Sequence, residues 1–214
     1  MTAFKNDMTM MFVMHDALRR DLETVARISE KGGDEPRRVL ATALGWQLFK
    51  TALHAHHSAE DDVLWPALRE AVADRPDDIA LLDAMEAEHA AVDPGLAAMD
   101  AALADAEHGH ERLGFIVGKL TEGLGGHLKH EEDEALALID AFVTPEVLAR
   151  FGAEHSARVG AAAPRFLPWM LDGQSPERLA QVLGTLPEPV RGLYTAQWQP
   201  AYAELDLWAP STAA

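Results

Sequence analysis

Apolar residues recur at alternating steps of three and four along most of the first 140 positions, the spacing that keeps side chains on one face of an α-helix. Met11, His15, Leu18, Leu22 and Val25 form the first seam and predict a helix over residues 7–31, ended by Lys31-Gly32-Gly33-Asp34. Pro36 suits the first turn of a second helix. Its inner face reads Phe49, Leu53 or Ala52, His56, Glu60, Val63 and Ala67, and Pro66 predicts a kink or break near its end. Arg75-Pro76-Asp77-Asp78 punctuates the chain, after which Leu82, Met85, His89, Val92, Leu96, Met99 and Leu103 mark a third helix, bent at Pro94. Leu113, Ile116, Leu120, Leu124, His127, Glu131 and Leu138 mark a fourth, whose glycines Gly114, Gly118, Gly123, Gly125 and Gly126 weaken helicity unless they allow close helix approach.

Four long amphipathic segments with short links predict an all-α fold, an up-down-up-down antiparallel four-helix bundle over residues 1–144. Beyond Thr144-Pro145 the texture changes. Pro145, Pro164, Pro168, Pro176, Pro187, Pro189 and Pro200 divide residues 145–214 into short helices, read as an extension packed on the bundle through Phe166, Leu167, Trp169, Met170, Leu193, Tyr194, Trp198, Tyr202 and Trp208.

The 214 residues contain no cysteine, so any metal must bind through nitrogen and oxygen. A formal charge of −17 argues against sequence-independent contact with nucleic acid or anionic membrane. Neither an export leader nor a membrane span is recognisable, which makes the cytoplasm the expected location. No Gly-x-Ser-x-Gly and no phosphate-binding glycine loop supports a hydrolase or kinase role.

The candidate chemistry lies on the seams themselves. His56 with Glu60, and His127 with Glu131, stand four residues apart and share a helix face. His15 and His89 occupy the first and third seams, so each helix turns a histidine inward. Burying two glutamates without a cation would cost several kcal/mol per charge, so bound metal is the economical reading. His57 with Asp61, and His130 with Glu134, repeat the spacing one step around the helix and are expected to face away, with His130 and Glu134 as partners that orient the ligands. Asp62, Glu132 and Asp133 read as a solvated face, His54, His108 and His110 as surface residues, and His155 as structural.

This set, one histidine, His-x-x-x-Glu, one histidine, His-x-x-x-Glu on consecutive helices, resembles the hemerythrin-like or HHE cation-binding domains over about residues 8–142. Local wording agrees in the runs starting at His15, at His56 through Trp65-Pro66, at Glu88-His89 and at His127. The resemblance implies two iron ions, oxo- or hydroxo-bridged, with Glu60 and Glu131 bridging, His15 and His56 on one iron, and His89 and His127 on the other. Manganese and zinc are lesser alternatives. Oxygen-carrying members have a further histidine where this chain has Asp93, a candidate additional ligand that makes simple oxygen carriage less secure. A ferritin-like site would need Glu-x-x-His twice; Glu86-x-x-His89 fits once, but Leu53 and Leu124 precede His56 and His127, leaving Glu86 as at most an accessory residue. The functions implied are binding of, or reaction with, oxygen, peroxide or a related small molecule in sensing, storage or detoxification under oxidative stress. The alternatives are a di-metal enzyme such as a peroxide-decomposing oxidoreductase, and a metal-free helical interaction module. The oligomeric state is left open.

Overall fold

Every long apolar seam becomes a helix, and the computed structural model, which describes residues 4–210, contains no strand among them. Helix α1 (Thr9–Ser29) buries Met11, Met14, His15, Leu18, Leu22 and Val25, the predicted face. The chain then turns at Gly33, whose φ of 81° favours glycine.

The second seam departs from the single helix expected of it. Helix α2 (Glu35–Thr42) stops at Ala43, where ψ is 125°, and α3 (Leu44–Ala59) starts afresh. Tertiary contact accounts for the break: the Gly45 N–H donates to the Leu207 carbonyl at 2.8 Å, and a Cβ on Gly45 would lie 2.6 Å from the Trp208 ring. Past Ala59 the helix widens into a π turn over Glu60–Leu64, closed by the Trp65 N–H on the Glu60 carbonyl, before α4 (Trp65–Ala71). Pro66 therefore does not break the helix; it follows directly on the π turn, and Asp61 and Asp62, one turn back, are exposed, so the carbonyl that lacks its N–H is open to water. The extra residue in the π turn rotates the inward face, so Leu68 is buried where Ala67 was expected.

Helix α5 (Pro76–Ala104) runs through Pro94 without interruption. Pro94 and Ala90 are both exposed, so the carbonyl that loses its partner is open to water. Helix α6 (Gly109–His130) continues through a second π turn, Glu131–Ala135, into α7 (Leu136–Phe142). None of Gly114, Gly118, Gly123, Gly125 and Gly126 has a neighbour within 4 Å of a Cβ position, so these glycines do not mediate close helix approach. They sit away from the packed face. Gly109 is the tight one, with the Ala102 carbonyl oxygen 1.9 Å from where its Cβ would stand.

The remaining chain forms α8 (Pro145–Val159), α9 (Ala163–Leu171), α10 (Pro176–Thr185), α11 (Glu188–Leu193) and α12 (Gln199–Ala203). Trp169 is fully buried, its indole N–H donating to the Asp21 carboxylate at 2.7 Å, and it shares a core with Leu18, Leu22, Phe49 and Leu53. A second core gathers Met11, Leu64, Trp65, Leu68, Met85, Leu136 and Ile139. Along each of the four long seams the inward histidines and glutamates fall between residues of one core and residues of the other, so a polar layer separates two apolar ones. No helix among the described residues is long and apolar enough to cross a membrane.

Candidate metal centre

The polar layer brings together all six predicted ligands. His15, His56, His89, His127, Glu60 and Glu131 are each at most 5% exposed. Their imidazoles meet in two pairs: His15 Nε2 is 3.0 Å from His56 Nε2, and His89 Nε2 is 3.1 Å from His127 Nε2. Each glutamate reaches both pairs. Glu60 turns Oε1 to His56 Nε2 at 3.3 Å and Oε2 to His89 Nε2 at 3.6 Å. Glu131 Oε2 lies 3.2 Å from His15 Nε2 and 4.0 Å from His127 Nε2. The side chains are delivered by adjacent turns of helix, and each π turn starts at the glutamate, as such turns often do at functional sites.

Despite these approaches, none of the four carboxylate oxygens of Glu60 and Glu131 receives an aligned hydrogen bond. Two fully buried carboxylates without donors are costly unless something else satisfies them. Ligand atoms of His15, His56, Glu60 and Glu131 lie within 4.8 Å of one another, a geometry able to hold a cation; so do those of His57, His89 and His127. The donors are imidazole nitrogen and carboxylate oxygen, which suit iron, manganese or zinc. The residues therefore fit a cation-binding centre.

The electrostatics of the centre follow from burial and crowding. Burial works against a charged ring at His15, yet Glu131 and Glu132 outweigh it and raise this histidine to about 9. Burial and the neighbouring Glu131 push Glu60 well above the usual carboxylate range, whereas the His15 charge holds Glu131 down against its own burial. Burial also pushes His56, His57 and His127 down, with adjacent imidazoles adding to the effect at all three.

Around this layer stands a ring of carboxylates that orient the imidazoles. Glu132 accepts from His15 Nδ1 at 2.9 Å, Asp61 from His89 Nδ1 at 2.7 Å and Glu88 from His127 Nδ1 at 3.0 Å. A carboxylate on Nδ1 keeps the proton there and leaves the Nε2 lone pair for a cation. This corrects the expected partners. His130 Nδ1 donates to Glu88 at 2.8 Å, away from the ligand nitrogens, and Glu134 is exposed 3.8 Å from His130. Glu132 is no part of a solvated face: it also accepts from Arg19 at 2.8 Å, and although partial burial opposes its charge, His15 and Arg19 hold it down to about 2. Asp62 and Asp133 do remain exposed, paired with Arg158 and Lys129.

Three further expectations fall elsewhere. Asp93 is exposed and belongs to neither group of ligand atoms. Glu86 is held on the surface by Arg69 at 2.8 Å. His57, expected to face outward, is buried against the centre with its ring stacked on His89 at 3.9 Å. His155 reaches inward from α8, its ring centre 6.1 Å from that of His56.

Residues 7–139 match the hemerythrin HHE cation-binding domain. No curated protein and no solved structure matches the chain. The matched span contains all six inward histidines and glutamates and both π turns, and the chain belongs to the hemerythrin HHE cation-binding domain family.

Proposed function

We propose that the chain is a non-heme di-iron protein, with Glu60 and Glu131 shared between two irons and a histidine pair on each, that binds or reacts with oxygen or a peroxide. The observation that carries this reading is the set of four buried carboxylate oxygens without donors, each glutamate set between imidazoles of both pairs. These residues would hold the irons, which when bound would supply one-electron redox chemistry and a place for a small ligand.

The chain's own residues do the rest. Asp61, Glu88 and Glu132 fix three imidazoles with their Nε2 lone pairs inward. The apolar layers on either side, with Trp65 and Phe49 at 0% exposure, exclude water from above and below. We read the four long segments as an up-down-up-down bundle, supported by the short link of residues 105–108 between α5 and α6 and their packing along each other.

Elemental analysis tests the reading. Protein produced in iron-rich medium is expected to retain close to two irons per chain, and its reduced form to change optical spectrum on exposure to oxygen. Protein that retains no metal overturns the proposal.

A further inference from the structure

His57 has no place in the His-x-x-x-Glu pattern, yet the structure treats it as part of the centre. It is 8% exposed, and its Nε2 is buried without a hydrogen-bond partner. Its ring lies flat against His89, with centres 3.9 Å apart and planes at 5°, and edge-on to His127 at 5.0 Å. Ligand nitrogens of the three rings fall within 4.8 Å of one another.

Were His57 only a packing residue, its position would leave a buried polar atom unsatisfied at a cost of about 1–3 kcal/mol. An apolar side chain of similar size would avoid that cost. A cation at the His89 and His127 end gives Nε2 a partner and removes the penalty. The third helix offers no competitor there, because Asp93, one turn beyond His89, is exposed and outside the group. A groove of ≈ 660 Å³, lined by His57, His89, Asp61, Glu86 and Asp93, opens onto this end. Its four carboxylates, Asp61, Glu86, Asp93 and Asp100, outnumber its one lysine, Lys50, and favour entry of cations and neutral molecules over anions.

We propose that His57 is a direct ligand of the second cation, giving the His89 and His127 end three imidazoles against two at the His15 and His56 end, and that this end is the one reached from solvent. The inference rests on the two-cation reading. The centre is then asymmetric: one position is closed off by α8 and the other stands at the foot of an acidic groove.

Cobalt(II) is a suitable probe, because its visible bands report ligand number and its uptake can be counted without any turnover. Wild-type apoprotein is expected to bind two cobalt ions. His57→Ala should weaken one of them by more than the 10–100-fold that loss of a ring-orienting partner typically costs, with a change in the visible bands, and leave the other at its wild-type affinity. In His57→Gly, free imidazole added to the buffer should restore the second ion and its spectrum, since the groove gives it access. His54→Ala, an exposed histidine of the same groove, should change nothing. If the glycine or alanine variant fails to fold, His57→Gln, which keeps most of the side-chain volume, carries the same comparison. Two cobalt ions bound by a folded His57 variant with wild-type affinity and spectrum overturn the assignment while sparing the two-cation reading. Wild-type apoprotein that binds no cobalt overturns both.

Discussion

Asp61 and Glu132 each follow a buried glutamate by one residue, and each reaches sideways to a histidine on a neighbouring helix: Asp61 to His89, Glu132 to His15. Successive residues on a helix point about 100° apart, so within one layer of a four-helix core the first can face the centre while the next faces an adjacent helix. A single inward face per helix therefore accounts for the six histidines and glutamates that the structure gathers in one layer, but not for the carboxylates beside them that hold the imidazoles. His57 and Asp61, one step around the second helix, both meet His89, and the acidic run Glu131-Glu132-Asp133-Glu134 holds no local signal that separates Glu132 from its neighbours. Removing the orienting charge while keeping shape should expose the difference. Asp61→Asn, Glu88→Gln and Glu132→Gln are each expected to weaken metal binding by about 10–100-fold, whereas Asp62→Asn and Asp133→Asn should leave it within experimental error, as measured by competition with a chelating dye.

At the level of elements, periodicity sufficed wherever a helix is straight and failed where tertiary contact intervenes. The break at Ala43 depends on Leu207 and Trp208, more than 160 residues away, and no local residue announces it. The π turns likewise follow ordinary helix-forming sequence. Glycines in α6 give the opposite lesson, since their positions were evident but their surroundings were not. Gly118 and Gly123 are exposed with open space around them, so Gly118→Ala and Gly123→Ala should each stabilise the protein by about 1 kcal/mol in urea unfolding. Gly109→Ala should destabilise it by at least about 1–3 kcal/mol, because the new methyl meets the Ala102 carbonyl. Helix α8 brings its own signature through His155, which is packed among His56, Phe151 and Phe166, and which burial and the nearby Arg158 push down to about 4. Because the folded state resists its protonation, the associated stability is complete above about pH 6.5 and is lost as pH falls toward 4, by at most about 3 kcal/mol. Urea melts of metal-free protein at pH 7, 5.5 and 4 should therefore show a shallower loss for His155→Gln than for the wild type.

For the molecule as a whole, the all-α class and the cation-binding family follow from the seams and their four histidines, while the relation of the last third to the rest depends on contacts that proline spacing alone does not encode. Trp169 shows what that spacing omits: its indole is anchored on Asp21 of α1 and its ring lies in the same core as Phe49 of α3. Asp21 falls on the buried side of the first seam, and a carboxylate there gave no hint of a tryptophan 148 residues later. The layer of histidines and glutamates lies between the two apolar cores. That arrangement bears on how the protein comes apart. Cations shared by all four long helices would act as rivets through both halves, so the loaded protein should melt in one transition with van't Hoff and calorimetric enthalpies in agreement. Stripped of metal, the same chain has charged and unpaired groups at its waist, and its upper and lower halves should lose their coupling: differential scanning calorimetry should resolve a broadened or double endotherm, with the Trp65 half and the Trp169 half melting at different temperatures.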